Sequence, residues 1–272
     1  MRAKRILALA LAALLLTGCG RSSQPAEERT VPTQKPTAEE TLPPETQPPT
    51  EPSAEAATEA PAEPEVPQWL HSGIRQDGTF NEGTLFIGDF LTYGLVTGYL
   101  TDRELLGDAK YMVIPGGALT AFDYGPALTH DTDCLFSPEF EGMLMREAVE
   151  EAGDSVTAVY FMMGTNFSKY ADDETLTGIV EHILACCPNA TVFLQLVPYD
   201  RSTRVDYEEA NRRVLLTYMH YQQEANPRVL LIDTQTAIGY NLTTDGIQLT
   251  TEGQACWYQA LVAFADGNHI PE

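Results

Sequence analysis

Four short stretches of this chain gather small, amide-rich or carboxylate residues, three of them at the end of an apolar run and one just before the last helical pattern. In the first, Thr84-Leu85-Phe86-Ile87 ends in Gly88-Asp89, and an amphipathic pattern begins at once with Phe90-Leu91-Thr92-Tyr93-Gly94. This reads as a buried strand turning sharply into a helix. Such a turn lifts Phe90 to the carboxyl edge of a sheet, with exposed amides and the positive helix end beneath it. That environment suits a developing negative charge. Nucleophilic serines often occupy turns of this kind, but here the position holds a phenyl ring. The other stretches are Pro115-Gly116-Gly117-Ala118-Leu119-Thr120, Met162-Met163-Gly164-Thr165-Asn166-Phe167 and Asp245-Gly246-Ile247-Gln248-Leu249-Thr250. Taken alone, the glycines of the second and the Gly-Thr-Asn of the third read as turns.

The elements that must position these residues alternate. Strands are expected at Leu85–Gly88, Tyr111–Ile114, Val156–Met163, Ala190–Val197 and Val229–Ile232. Helices are expected from Phe90 to about Leu100, from Ser137-Pro138 to about Glu151, from Asp172 or Asp173 to about Cys186, and from Asp206 to about Ala225. Thr251-Glu252-Gly253-Gln254 fits a capping box opening the final helix. Alternating strands and helices imply an α/β fold, a three-layer sandwich with a central parallel sheet of the flavodoxin-like kind. In such sheets the loops after the strand carboxyl ends build the site.

The four stretches, in this order and at these strand ends, resemble the blocks of the SGNH/GDSL hydrolase family. The resemblance covers about Thr84 to Phe264. Gly88-Asp89-Phe90-Leu91 is similar to the Gly-Asp-Ser-Leu block, with Phe90 where the nucleophile stands and Asp89 in the turn. The resemblance implies that Gly117, or its neighbour Gly116, supplies an oxyanion-hole amide and that Asn166 supplies the side-chain donor. In the Gly-x-Asn-Asp block, Phe167 replaces the last residue. Asp245 stands at the orienting carboxylate and Gln248 at the general-base histidine of an Asp-x-x-His block.

An ester hydrolase needs a hydroxyl and a base to take its proton. Phe90 has no lone pair or acidic proton, and Gln248 does not titrate near neutral pH. Of the other side chains that could relocate the chemistry, Thr92 faces another side of its helix, Ser168 lies on the loop beside Asn166, and His130 sits in a loop-rich insertion. His182 and His220 fall within helical patterns. A two-carboxylate glycosidase using Asp89 and Asp245 conflicts with the structural place of Asp89. Two classes follow. One is a non-catalytic binder of a cell-envelope glycan or a protein partner, with Asp89, Phe90, Gly117, Asn166 and Gln248 around the ligand. The other is an ester hydrolase or O-acyltransferase on cell-envelope carbohydrate with a relocated nucleophile.

The rest of the chain speaks to location. Arg2, Lys4 and Arg5 precede an apolar run, Ile6 to Leu16, that is too short to span a bilayer. Leu16-Thr17-Gly18-Cys19 then resembles a bacterial lipobox. Residues 1–18 are thus expected to be a signal peptide, with Cys19 lipidated and the protein extracytoplasmic, anchored to the membrane through that lipid. Residues 19–66 are crowded with Pro, Thr, Glu and Ala. Such a segment cannot bury enough apolar surface to offset its ordering entropy, and it favours extended polyproline II at about 3.1 Å per residue. It reads as a stalk.

Residues 67–272 have globular composition, enough for one domain. The formal net charge is −23, which disfavours nucleic acid as a partner. Cys134, Cys186, Cys187 and Cys256 show no metal-ligand spacing, so neither a metal nor a cofactor is expected, and buried free thiols and disulfides both stay open.

Overall fold

A computed structural model describes residues 71–131, 133–165, 171–198, 207–239 and 248–266. A six-stranded sheet runs through the domain in the order β3-β2-β1-β4-β5-β6. The strands are β1 (Thr84–Gly88), β2 (Lys110–Val113), β3 (Leu135–Phe136), β4 (Ala158–Met162), β5 (Thr191–Gln195) and β6 (Val229–Ile232). Five are parallel, and β3 pairs antiparallel with β2 through Met112 opposite Phe136.

The five parallel strands lie where the apolar runs place them. β3 is an addition: the short Leu135-Phe136 pair sits inside the stretch read as a loop insertion, and it makes the sheet mixed.

The strands are apolar on both faces because both faces are covered. Leu85, Ile87, Val159, Phe161, Val192 and Leu194 point into one core with α3 (Met145–Ala152) and α4 (Thr175–Cys186). α5 (Tyr207–Gln223) joins them through Val214 and Tyr221. The intervening Phe86, Ala158, Tyr160, Met162 and Phe193 point into a second core. This one holds α1 (Phe90–Gly94) with its continuation Leu95–Leu100, α6 (Thr234–Ile238) and α7 (Thr251–Ala265). A short α2 (Ala121–Tyr124) seats Phe122 in the first core.

Register sets Phe86, Tyr160 and Phe193 side by side on β1, β4 and β5. Their rings stack at 5.3 and 4.8 Å, the offset arrangement that ring quadrupoles favour.

Two helical expectations change. The helix from Ser137 does not run unbroken to Glu151. Pro138–Phe140 makes one tight turn, Gly142 takes a φ of +84°, and α3 starts afresh at Met145. There the Leu144 amide donates to the Glu147 carboxylate at 2.9 Å. The helix after β1 begins at Phe90 as expected but widens into a π-helix over Leu95–Leu100.

The described chain enters through a clip at the amino ends of the central strands. Ile74 bridges to Phe80, the Thr84 hydroxyl donates to the Gly73 carbonyl at 3.0 Å, and the Tyr160 hydroxyl donates to the Ser72 carbonyl at 2.6 Å. Gly73 has φ +70°, and a Cβ there would collide with the Thr84 side chain.

Candidate functional site

The site lies at the opposite edge of the sheet, where the loops after β2, β1 and β4 come together because these strands are neighbours. The Gly-Asp pair after β1 builds the turn. A Cβ on Gly88 would overlap the Thr92 side chain and lie 2.7 Å from the Met162 carbonyl oxygen, so only glycine lets the chain turn this close to β4. Asp89 caps α1 by accepting from the Leu91 amide at 3.3 Å. Its other oxygen accepts from the Gly164 amide at 3.2 Å, the Thr165 amide at 2.9 Å and the Thr165 hydroxyl.

One buried carboxylate therefore ties the loop after β1 to the loop after β4. Asp89 is fully buried. Burial pushes its carboxyl up to about 6, outweighing the four donors that favour the charged form. With every oxygen engaged inside the fold, Asp89 is a scaffold residue rather than a ligand contact.

The turn places Phe90 half-buried. Its ring packs on the edge of the second core and lines a cleft of about 570 Å³. The ring walls this cleft rather than plugging it. Gln248, exposed just ahead of α7, lines the same cleft, so two positions 158 residues apart in sequence meet across one opening.

Gly117 does not aim its amide at this opening. It is buried, and its N–H donates to the Ile114 carbonyl at 2.8 Å, closing the turn after β2. That turn bond occupies the amide assigned to Gly117 by resemblance. The neighbouring Gly116 is exposed, with open space around its Cα. Asn166, Ser168 and Asp245 lie outside the described residues, as does Cys19.

The relocated nucleophiles within the described residues do not reach the cleft. Thr92 is 2% exposed, and its hydroxyl donates to the Met162 carbonyl at 3.3 Å. His130 is exposed, its ring 5.0 Å from that of Phe136, and is not among the cleft's lining residues.

Of the lining residues that the sequence did not single out for the site, three bear on its chemistry. Tyr93 lies three residues after Phe90 on α1, on the same helix face, and is exposed. Asp133 comes from the segment before β3. Gln254 comes from α7 and lies across the gap left by Gly94 and Gly98, where added Cβ atoms would sit 3.2 and 3.5 Å from its side-chain amide. The sequence pattern makes Gln254 a capping-box partner of Thr251. The cap is in fact Thr250, whose hydroxyl accepts from the Gly253 amide at 3.0 Å, and this one-residue shift frees Gln254 for the cleft.

Among the described lining residues there is no Lys, Arg or His. Aromatic faces, amides, the hydroxyls of Tyr93 and Thr97 and one carboxylate leave little to attract an anion and much to meet a neutral polyol: rings for apolar C–H faces, amides and carboxylate for hydroxyls.

No family model matches the sequence, and no curated protein matches it. Among solved structures the chain is similar to a member of the lipolytic G-D-S-L family from Veillonella parvula, at 16% identity and a TM-score of 0.44, covering 66% of this chain and 95% of that one. It is similar to a carbohydrate esterase family 3 protein from Talaromyces cellulolyticus, at 16% identity and a TM-score of 0.41, covering 68% and 98%. It is also similar to a family two carbohydrate esterase from Clostridium thermocellum in complex with cellohexaose, at 14% identity and a TM-score of 0.47, covering 68% of this chain and 63% of that one. At these identities the likeness concerns fold alone. The mostly parallel six-stranded sheet between helical layers is the α/β sandwich that the alternating strands and helices imply.

Proposed function

We propose that this domain is a non-catalytic binder of a neutral cell-envelope glycan, held at an extracytoplasmic membrane face by a lipid on Cys19. The observation that supports the reading is the cleft wall. Phe90 and Tyr93 offer aromatic faces, and Gln248, Gln254 and Asp133 offer hydrogen-bonding groups. A sugar ring presents apolar faces and peripheral hydroxyls, and this arrangement meets both. Catalysis of ester transfer would need a group that attacks a carbonyl and a base that takes its proton. Phe90 and Gln248 supply neither, and Thr92 is buried and engaged.

The test is a titration of the purified chain with soluble cell-wall polysaccharide fragments, alongside short acyl esters. Binding is expected, with Phe90→Ala and Tyr93→Ala each weakening it about tenfold, the loss of about 1.4 kcal/mol of stacking. No ester turnover is expected above a heat-inactivated control. Turnover that survives purification would sink the non-catalytic reading. Fragment binding unchanged by both aromatic substitutions would sink the glycan assignment to this cleft.

A further inference from the structure

On the helical layer away from the cleft, α3 and α4 bring three metal-ligand side chains together. His182 and Cys186 are four residues apart on α4, the spacing that sets two side chains on one helix face. Glu150, near the end of α3, completes the group, and one donor atom from each lies within 4.8 Å of the others. The separations are informative. Zinc–ligand bonds of about 2.0 to 2.3 Å at tetrahedral angles set neighbouring donors about 3.4 to 3.6 Å apart. Here Cys186 Sγ lies 3.6 Å from His182 Nε2, and Glu150 Oε1 lies 3.5 Å from the same nitrogen. Two of the three donor–donor edges on one face of a coordination tetrahedron are therefore already at length.

The surroundings hold these groups in place. The His182 side chain is only 9% exposed, and its ring meets Phe122 edge-on at 6.0 Å, which restricts its rotation. The Glu150 side chain is 54% exposed and free to adjust. Among the described residues Arg146 is the one cation close by, with its Nε 3.8 Å from Glu150, but its Nη1 is drawn to Asp123 at 2.9 Å.

We infer that Glu150, His182 and Cys186 form a zinc site that cross-links α3 to α4, with the fourth position open to solvent. Thiolate, imidazole and carboxylate are a donor set that zinc accepts, and harder cations such as magnesium disfavour it. On binding, the Cys186 S–H bond is exchanged for an S–Zn bond and the proton passes to solvent. The two anionic donors then balance the charge of the ion. This site is independent of the cleft reading.

The test uses the full chain, stripped with a chelator, held reduced, and titrated with zinc chloride by calorimetry and thermal melting. One ion per chain is expected. At zinc about a hundredfold above Kd, the melting temperature should rise by about 5 to 10 °C. Cobalt substituted for zinc should show thiolate-to-metal charge-transfer absorption. Cys186→Ser should abolish that absorption and His182→Ala should weaken zinc binding more than about tenfold. Cys256→Ser should leave both intact. Should Cys186→Ser or His182→Ala fail to fold, the exposed Glu150→Gln decides, with the same weakening expected. Zinc binding unaltered by Glu150→Gln, charge transfer that survives Cys186→Ser, or no zinc binding at all would overturn the assignment.

Discussion

Asp89 shows how one buried side chain can hold the loops around a cleft without lining it. Its carboxyl gathers two loop amides, a cap amide and a hydroxyl, yet burial raises it to about 6. The usual value is 3.8, so between about 4 and 6 the folded chain holds a proton that the unfolded chain has lost. The Asp89 contribution therefore favours the fold below this window and is lost as pH rises through it, at a slope of up to about 1.4 kcal/mol per pH unit. Denaturation midpoints measured from pH 4 to 7 should show this fall in wild type and a flatter profile in Asp89→Asn. A midpoint difference between the two that stays constant across the range would contradict it. Asp89 and Phe90 could be singled out in the sequence because they follow an apolar run in a recognisable block, and Gln248 because its block directly precedes the last helix. Tyr93, Asp133 and Gln254 could not, because their approach to the cleft depends on how α7 crosses the α1 helix and where the β3 segment returns.

Among the elements, the β1–α1 turn is the least forgiving. Gly88→Ala would press a methyl group onto Thr92 and the Met162 carbonyl, and should cost about 2 to 3 kcal/mol in a urea or guanidinium midpoint. Thr92→Ala in the same chain should restore only part, since the Thr92 Cβ and the Met162 backbone remain in the way. A full recovery would show that the hydroxyl alone was the obstacle. This turn was legible because a continuous apolar run meeting Gly-Asp has few other solutions. The five parallel strands were legible for the same reason: burial on both faces leaves unbroken runs of apolar residues. β3 was not, being two residues long and held by its partner β2 rather than by its own pattern. The break after Phe140 was hidden because Gly142 interrupts what otherwise reads as a cap followed by a helical face.

At the scale of the whole molecule, membrane attachment is a proposal drawn from Leu16-Thr17-Gly18-Cys19, and it is directly measurable. The wild-type chain should sediment with membranes and need detergent for release, whereas Cys19→Ser should appear in the soluble or secreted fraction. Equal partitioning of the two would remove the anchor from the account. Among the described residues no helix is long and apolar enough to cross a membrane. Limited proteolysis should trim the Pro/Thr/Glu-rich segment and leave a resistant core starting near Pro67. The change of composition at that point was plain in the sequence, since the proline-dense segment has no aromatic and few of the large aliphatic residues from which a core is made.

The entry clip gives the domain a direction. Ser72 and Gly73 are fastened at the amino ends of β1 and β4, while Phe90 and the cleft sit beyond the carboxyl ends of the same strands. Whatever holds the chain by its N-terminal side holds it at one pole, and the cleft opens at the other. A pull on the chain at Ser72 would pass through its carbonyl to the Tyr160 hydroxyl and so into β4, one of the two central strands of the sheet.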